Sequence, residues 1–469
     1  YALSTNDVNF RVKLLPLLFK SLEIKDFYAK NLDVNLVFDK ELKLGQYKIE
    51  NNQKSHLKIN KLNLKIDDYD INFEDKELNK KIYLDGKSLT TNFKNNKKLT
   101  IETSADIVAG NKKSDFELNL STNLPFEKIT SKNFKISGHI NNIDLADFSS
   151  YAKSLSKNSI KSLSGLINLD AKTSDGKVSI ISNIKNIGIY KTLLDESIYY
   201  EDELNLNSVI ILLNNGIQIS NCRLKGNGIN AFVNGKITNL KGKLPNLDIK
   251  VGINNSDAEK FVRLLPPSHD ISPDMDFYLI KKAGFWGDVW GNLDIKGKAD
   301  FPNVLGKIVI RNAYMVKEIP NAKKASILLD FTGDKMNLDV TVPTSPTQTV
   351  WVKGPIDITR KDHPADLLIT STNDVDLKTA QIILNPLHKI LHFELGPVPI
   401  MDIKGKGGIN LRVKGTRQSP YASGEFWFKD ATVSFLDIHD MDVTNGTGSL
   451  KFNNQNTWFE SKTATLNGK

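Results

Sequence analysis

The chain has 469 residues, a formal net charge of +9 and a single cysteine, Cys222. One cysteine excludes an intramolecular disulfide. No run reaches the roughly 18–20 apolar residues of a membrane-spanning helix, and the scattered lysines lack the compact basic patch and interleaved aromatics of a nucleic-acid binder.

Leu14 to Phe19 (L-L-P-L-L-F) is the densest apolar cluster. It reads as a short helix near a membrane or as a plug for one end of a sheet. After it, period-two alternation dominates. Leu32, Val34, Leu36 and Phe38 alternate with Asp33, Asn35, Val37 and Asp39, and Leu57, Ile59, Leu62, Leu64 and Ile66 follow. Further alternating stretches begin at Phe116, Val178, Leu204, Leu247, Ile308, Met336 and Phe426. Asn-rich turns such as Asn214-Asn215-Gly216 separate them. At a spacing of roughly 12 residues this predicts on the order of 35–40 strands. Amphipathic helices are few and short.

A phrase recurs within the strands. Asn292 to Ala313 (N-L-D-I-K-G-K-A-D-F-P-N-V-L-G-K-I-V-I-R-N-A) returns at Asn410 to Ala431 (N-L-R-V-K-G-T-R-Q-S-P-Y-A-S-G-E-F-W-F-K-D-A), 118 positions later (410 − 292). An aspartate also opens a helix-like stretch at Asp144, Asp257 and Asp376, each followed later by a glycine and an alternating strand. Such self-similarity marks a chain built by stacking one multi-strand block on the next. We expect an N-terminal block over 1–140 and repeat blocks over 141–253, 254–372 and 373–469. The chain reads as a piece of a longer polypeptide.

Alternation gives each strand one apolar and one polar face. With so few helices to cover it, the apolar face calls for a second sheet packed against it, or for a sheet bent into a trough whose apolar face lines a cavity.

Three stretches carry a resemblance: Phe10 to Phe27 (F-R-V-K-L-L-P-L-L-F-K-S-L-E-I-K-D-F), Gly226 to Leu240 (G-N-G-I-N-A-F-V-N-G-K-I-T-N-L), and Gly297 to Ala313 with its copy from Gly415. They resemble AsmA-like proteins, a group of Gram-negative bacteria that includes TamB and YhdP. The resemblance implies a mainly β fold: an elongated, curled antiparallel sheet forming a groove, with a few short helices. It implies a periplasmic location, anchorage in the inner membrane by a helix ahead of this segment, and passive movement of phospholipid toward the outer membrane. No enzyme activity and no cofactor are implied, and an outer-membrane protein is allowed as partner at the far end. The alternating apolar set supplies lining candidates: Leu32, Val34, Leu36, Leu57 and Ile59 in the first part of the chain. In the repeated blocks they are Leu293, Ile295, Ile308, Ile310, Leu411, Val413, Phe426 and Phe428. A dry sheet core with no ligand is the competing reading for each.

Signals for chemistry are thin. His388 and His392 have helical i, i+4 spacing, but Lys389 stands where a zinc protease needs Glu, although Glu394 lies near. His363 has no evident partner. Gly405-K-G-G lacks the ending of a phosphate loop. Trp286 and Trp290 suggest a bulky cap or a carbohydrate platform. The readings left are a lipid conduit, a scaffold whose sheet edges receive other strands, and a polysaccharide-binding or hydrolysing protein.

Overall fold

The computed structural model describes residues 3–17, 21–39, 41–44, 47–48, 58–94, 98–109, 112–123, 130, 132–155, 160–191, 197–240, 242, 244–260, 286–314, 325–360, 362–378, 401–416, 419–435, 442–454 and 456–466. They are overwhelmingly strand and form two compact units: residues 1–227 with 232–246, and residues 228–231 with 247–469. The described strands number 27, fewer than the spacing predicts. Single strands run for up to 19 residues, so several expected pairs of strands are single long ones.

In the first unit β1 (Leu3–Ser4) and β2 (Asp7–Val12) lie antiparallel along one edge of β3 (Ser21–Asp39), with α1 (Leu14–Leu17) between β2 and β3. β4 (Glu41–Leu44) folds back on the end of β3, and β5 (Tyr47–Lys48) pairs with β4. The other edge of β3 carries β6 (Lys58–Asp75) in parallel, the one departure among the described pairings from an antiparallel sheet. Leu22 lies beside Ile59 and Phe38 beside Asp75, so the connection crosses over rather than turning tightly. From β6 the ladder is an antiparallel meander. It runs through β7 (Lys80–Lys94), β8 (Lys98–Ala109), β9 (Lys112–Asn123) and β10 (Phe134–Asp144). A 3-10 turn (Leu145–Phe148) and α2 (Ser149–Leu155) follow. The meander resumes with β11 (Ile160–Ser174), β12 (Lys177–Lys191), β13 (Ser197–Leu213) and β14 (Gly216–Lys225). Asn214-Asn215 closes β13 on β14 in two residues.

β15 (Asn230–Thr238) contributes residues to both units. The second unit continues with β16 (Asn246–Asp257), β17 (Trp286–Lys298), β18 (Asn303–Tyr314), β19 (Ala325–Gly333) and β20 (Lys335–Ser345). Then come β21 (Gln348–Asp357), β22 (Ala365–Ser371), β23 (Val375–Asp376), β24 (Met401–Gly415), β25 (Pro420–Phe435), β26 (Asp442–Asn454) and β27 (Asn456–Leu466). From β17 onward each pairs antiparallel with the next, except that β22 and β23 share one edge of β24. Among the described strands neither ladder closes on itself.

Residues in the left-handed region crease both units. Within the strands they are Asn, Asp or Gly, the types that tolerate that conformation. Three sets repeat one arrangement. Asn142, Asn255 and Asp374 stand two positions before Asp144, Asp257 and Asp376. Gly165, Gly287 and Gly405 sit in β11, β17 and β24, and Asn186, Asn312 and Asp430 in the following strands β12, β18 and β25. A residue of this kind acts as a bulge, so side chains three apart share a face. Ile66 and Tyr69 are both buried around Asp68, as are Ile310 and Ala313 around Asn312. The aspartate caps repeat as well: the Asp144 carboxylate accepts the Ala146 N–H at 2.9 Å, and that of Asp257 accepts the Glu259 N–H at 2.8 Å.

This geometry explains the 22-residue phrase. Gly306 and Gly424 have φ of +128° and +124°, and a Cβ on either would lie 2.1 Å from the carbonyl oxygen of Asn292 or Asn410. The strands approach so closely that only glycine fits, and the Asn–Gly pair recurs because the approach recurs.

Candidate functional site

Register assembles an apolar face in the first unit. Leu32, Val34 and Leu36 lie beside Tyr69, Ile71 and Phe73 of β6. These lie beside Gly86, Leu84 and Ile82 of β7, then Ala105, Ile107 and Ala109 of β8. Ladder partners share a face, so the surface continues to Phe116 of β9 and Ile140 of β10. Ala29, Ile66, Tyr69 and Ala105 form its buried floor, with Leu32, Leu84 and Phe116 packed against them. Leu32, Val34 and Leu36 are themselves half-buried. Ile59 lies in β6, and Leu57 lies outside the described residues. At the β2 edge Val8 and Phe10 pair with Ala29 and Phe27, and Phe10 is 63% exposed. Sequence reasoning passed over Val8 and Phe10 although Val8, Phe10 and Val12 alternate, and missed Tyr69 because Asp68 shifts its phase.

The second unit builds a comparable face. Leu293 and Ile295 lie beside Gly306 and Val304, and Ile308 and Ile310 beside Leu329 and Ile327. The row from Ile310 continues through Ile327, Val340, Val352 and Ile369 to Leu411. Val413 lies beside Leu367, and Phe426 and Phe428 lie beside Ile409 and Gly407. All eight candidates of these blocks therefore stand on one face. Their depth differs. Ile308, Ile310, Leu411 and Val413 are buried, while Leu293, Ile295, Phe426 and Phe428 are half-buried. The centre is dry, with Val350, Val352 and Leu367 each 1% exposed. Toward β27 the face opens: Phe428 stacks on Phe459 with ring centroids 5.7 Å apart, and Phe459 is 59% exposed.

The opposite faces are polar but unlike one another. In the first unit Asp33, Asp70, Asp85, Asp106 and Asp115 stand in direct register on β3, β6, β7, β8 and β9. Like charges one strand apart repel, and each has a local remedy. Ser4 donates to Asp33 at 3.0 Å, and Tyr83 donates to Asp70. Lys113 Nζ lies 3.3 Å from Asp85 and 3.9 Å from Asp106. Asn141 donates to Asp115 at 2.8 Å, and His139 Nε2 lies 3.1 Å from the same carboxylate. Burial, then the carboxylates of Asp70, Asp85 and Asp33, push the Tyr83 phenol well above its ordinary value. The second unit alternates sign instead: Lys307–Asp330 at 3.4 Å, Lys353–Asp339 at 3.0 Å, Lys451–Glu460 at 2.6 Å. Arg412 grips Asp366 with two hydrogen bonds of 2.7 and 2.8 Å, which hold the carboxyl below its usual range.

The residues singled out for chemistry stay apart. Among the described residues no three His, Cys, Asp or Glu are arranged to hold a metal. His388, His392 and Glu394 lie outside the described residues. His363 is exposed, its Nδ1 3.2 Å from the Asp357 carbonyl oxygen. Gly405 creases β24 and precedes no helix. Trp290 lies under the Arg311 guanidinium, 5.5 Å from the ring centroid. Cys222 pairs with Ser208 on the apolar side of β13 and β14. Leu14 and Leu15 of α1 are exposed, and no described helix is long and apolar enough to cross a membrane. No family model, curated protein or solved structure matches the chain.

Proposed function

We propose that the apolar faces carry acyl chains and that the protein is a passive phospholipid conduit of the AsmA-like kind. In this reading it is anchored in the inner membrane of a Gram-negative bacterium and passes lipid through the periplasm toward the outer membrane. The observation that supports it is the cross-strand register: in each unit, strand after strand turns its apolar side chains to one face, and part of each face stays open. Leu32, Val34, Leu36 and Phe10 supply accessible surface in the first unit, and Phe426, Phe428 and Phe459 do so in the second. Bare transfer of a lipid with about thirty tail CH₂ groups through water costs on the order of 20–25 kcal/mol, at about 0.8 kcal/mol for each group. An apolar surface removes most of that barrier and needs no catalytic group.

The dry centre of the second unit favours one alternative, a scaffold for outer-membrane proteins with no bound lipid, because Val350, Val352 and Leu367 are covered by protein atoms. Gentle purification followed by native mass spectrometry separates the two. Phospholipid leaving with the protein supports the conduit; lipid-free protein that captures a specific outer-membrane partner in cross-linking supports the scaffold.

A further inference from the structure

We propose that the end of the first unit at which β3 and β6 begin is a docking face for an anionic phospholipid bilayer. The inference rests on the conduit reading and names the end at which lipid enters.

Register lines up a row of basic residues there. Lys13, just past β2, donates its backbone N–H to the Glu23 carbonyl oxygen of β3 at 3.0 Å. Glu23 lies beside Lys61 of β6, Lys61 beside Lys94 of β7, and Lys94 beside Lys98 of β8. Four lysines against one glutamate leave an excess of positive charge along this row. The glutamate is already taken, with Lys13 Nζ 2.8 Å from its carboxylate. Lys61, Lys94 and Lys98 make no ion pair among the described residues, and Lys94 and Lys98 are exposed. Like charges directly opposite each other destabilise a sheet. The aspartate row of the same unit has a donor or a cation for each carboxylate; the lysine row has no such remedy among the described residues.

Apolar groups stand at the same end. α1 follows Lys13 directly, and its Leu14 and Leu15 are 77% and 74% exposed. The lining face begins one residue farther along the strands: Ile24 lies beside Leu62, Leu62 beside Phe93 and Phe93 beside Leu99, all half-buried. Exposed apolar side chains next to unpaired lysines are the two components with which a protein sits on an anionic lipid interface. The lysines meet headgroup phosphates, and Leu14 and Leu15 enter the acyl boundary. A tail leaving the bilayer then meets Leu62, Phe93 and Leu99. A soluble polyanion would engage the lysines but leave both leucines in water, so the bilayer is the better fit.

The test floats the whole chain with phosphatidylethanolamine–phosphatidylglycerol vesicles carrying a trace of pyrene-labelled phosphatidylglycerol, and with phosphatidylcholine vesicles alongside. Label uptake is followed in the same samples, and circular dichroism checks that each variant keeps its strands. Each lysine close to an anionic leaflet strengthens binding about fivefold. Lys94→Gln with Lys98→Gln should therefore weaken binding roughly 20- to 30-fold, and raising salt from about 0.05 to about 0.5 M should do at least as much. Leu14→Ser with Leu15→Ser should weaken it roughly tenfold at either salt. Lys307→Gln with Lys353→Gln removes the same charge from ion pairs of the second unit and should change binding less than about twofold. Equal losses in the two lysine variants make net charge the determinant and overturn the docking face. Equal binding to phosphatidylcholine overturns it too, as does lysine-dependent retention on heparin by protein that ignores vesicles. Uptake that is indifferent to the lysine row removes the docking face alone. Flotation that depends on the row without label uptake keeps the docking face and counts against the conduit.

Discussion

Alanine at Gly424 tests the closest approach in the second unit. Gly424 has φ of +124°, where a Cβ is strained; holding a non-glycine residue there costs on the order of 1–3 kcal/mol. The new methyl carbon would also lie 2.1 Å from the Asn410 carbonyl oxygen, so β24 and β25 must separate by about 1 Å or more. Such overpacking adds roughly 1–3 kcal/mol. The expected loss is therefore about 2–6 kcal/mol, against a total of roughly 5–15 kcal/mol for a domain. Gly306→Ala meets the Asn292 carbonyl oxygen at the same 2.1 Å and should cost nearly as much. All five tryptophans (Trp286, Trp290, Trp351, Trp427 and Trp458) belong to the second unit, so urea unfolding followed by tryptophan fluorescence reports on it selectively. With a slope of about 2–3 kcal/mol per molar urea, the midpoint should fall by about 0.7–3 M. A loss below about 1 kcal/mol in either variant, or a difference above about 2 kcal/mol between them, would refute the shared close approach.

Phe428→Asp, at a half-exposed position, should leave tryptophan-monitored unfolding within about 1 kcal/mol of the parent and abolish lipid uptake. Ile310→Asp buries a charge and should destabilise the second unit by more than about 3 kcal/mol, read in the same urea titration. Lys113→Ala strips the shared cation from Asp85 and Asp106 and should lower protection of β7 and β8 amides by the equivalent of about 0.5–1 kcal/mol. Adding Asp106→Asn, or raising salt to about 1 M, should recover most of it. Arg412→Ala probes acid sensitivity. Asp366 is held below its unfolded value by Arg412, so its contribution is present above about pH 4 and disappears as pH falls through the lower folded value. The variant should lose stability less steeply than the parent between about pH 4 and pH 2. Some slope should survive, because Lys414 lies 3.3 Å from the same carboxylate.

Strand identity was legible because alternation is a local property: every described alternating segment lies in a strand. Sidedness was legible only between creases. From Leu32 to Phe38 the phase is simple and Leu32, Val34 and Leu36 fall together, but Ile66 and Tyr69 share a face against the period-two rule because Asp68 takes an extra step. An Asn, Asp or Gly with apolar residues two before and one after is the signal that would have placed them. The parallel β3–β6 pairing had no such signal, since crossover direction leaves no mark on local residue types. Depth was illegible as well. Ile310 and Phe428 look equivalent in the sequence, but one is buried and the other only half-buried, which depends on strands distant in the chain. The aspartate row escaped notice because its members come from five separate strands and meet only through register.

The repeated creases bear on how such a chain can change length. In the second unit each block resets its own phase at three fixed points, so gaining or losing a whole block leaves every oily side chain on the side it already occupies. One extra residue between creases would instead invert the rest of that strand, turning grease to water and lysine inward. Growth by entire modules is thus nearly neutral, and single insertions survive only where an existing bulge absorbs them.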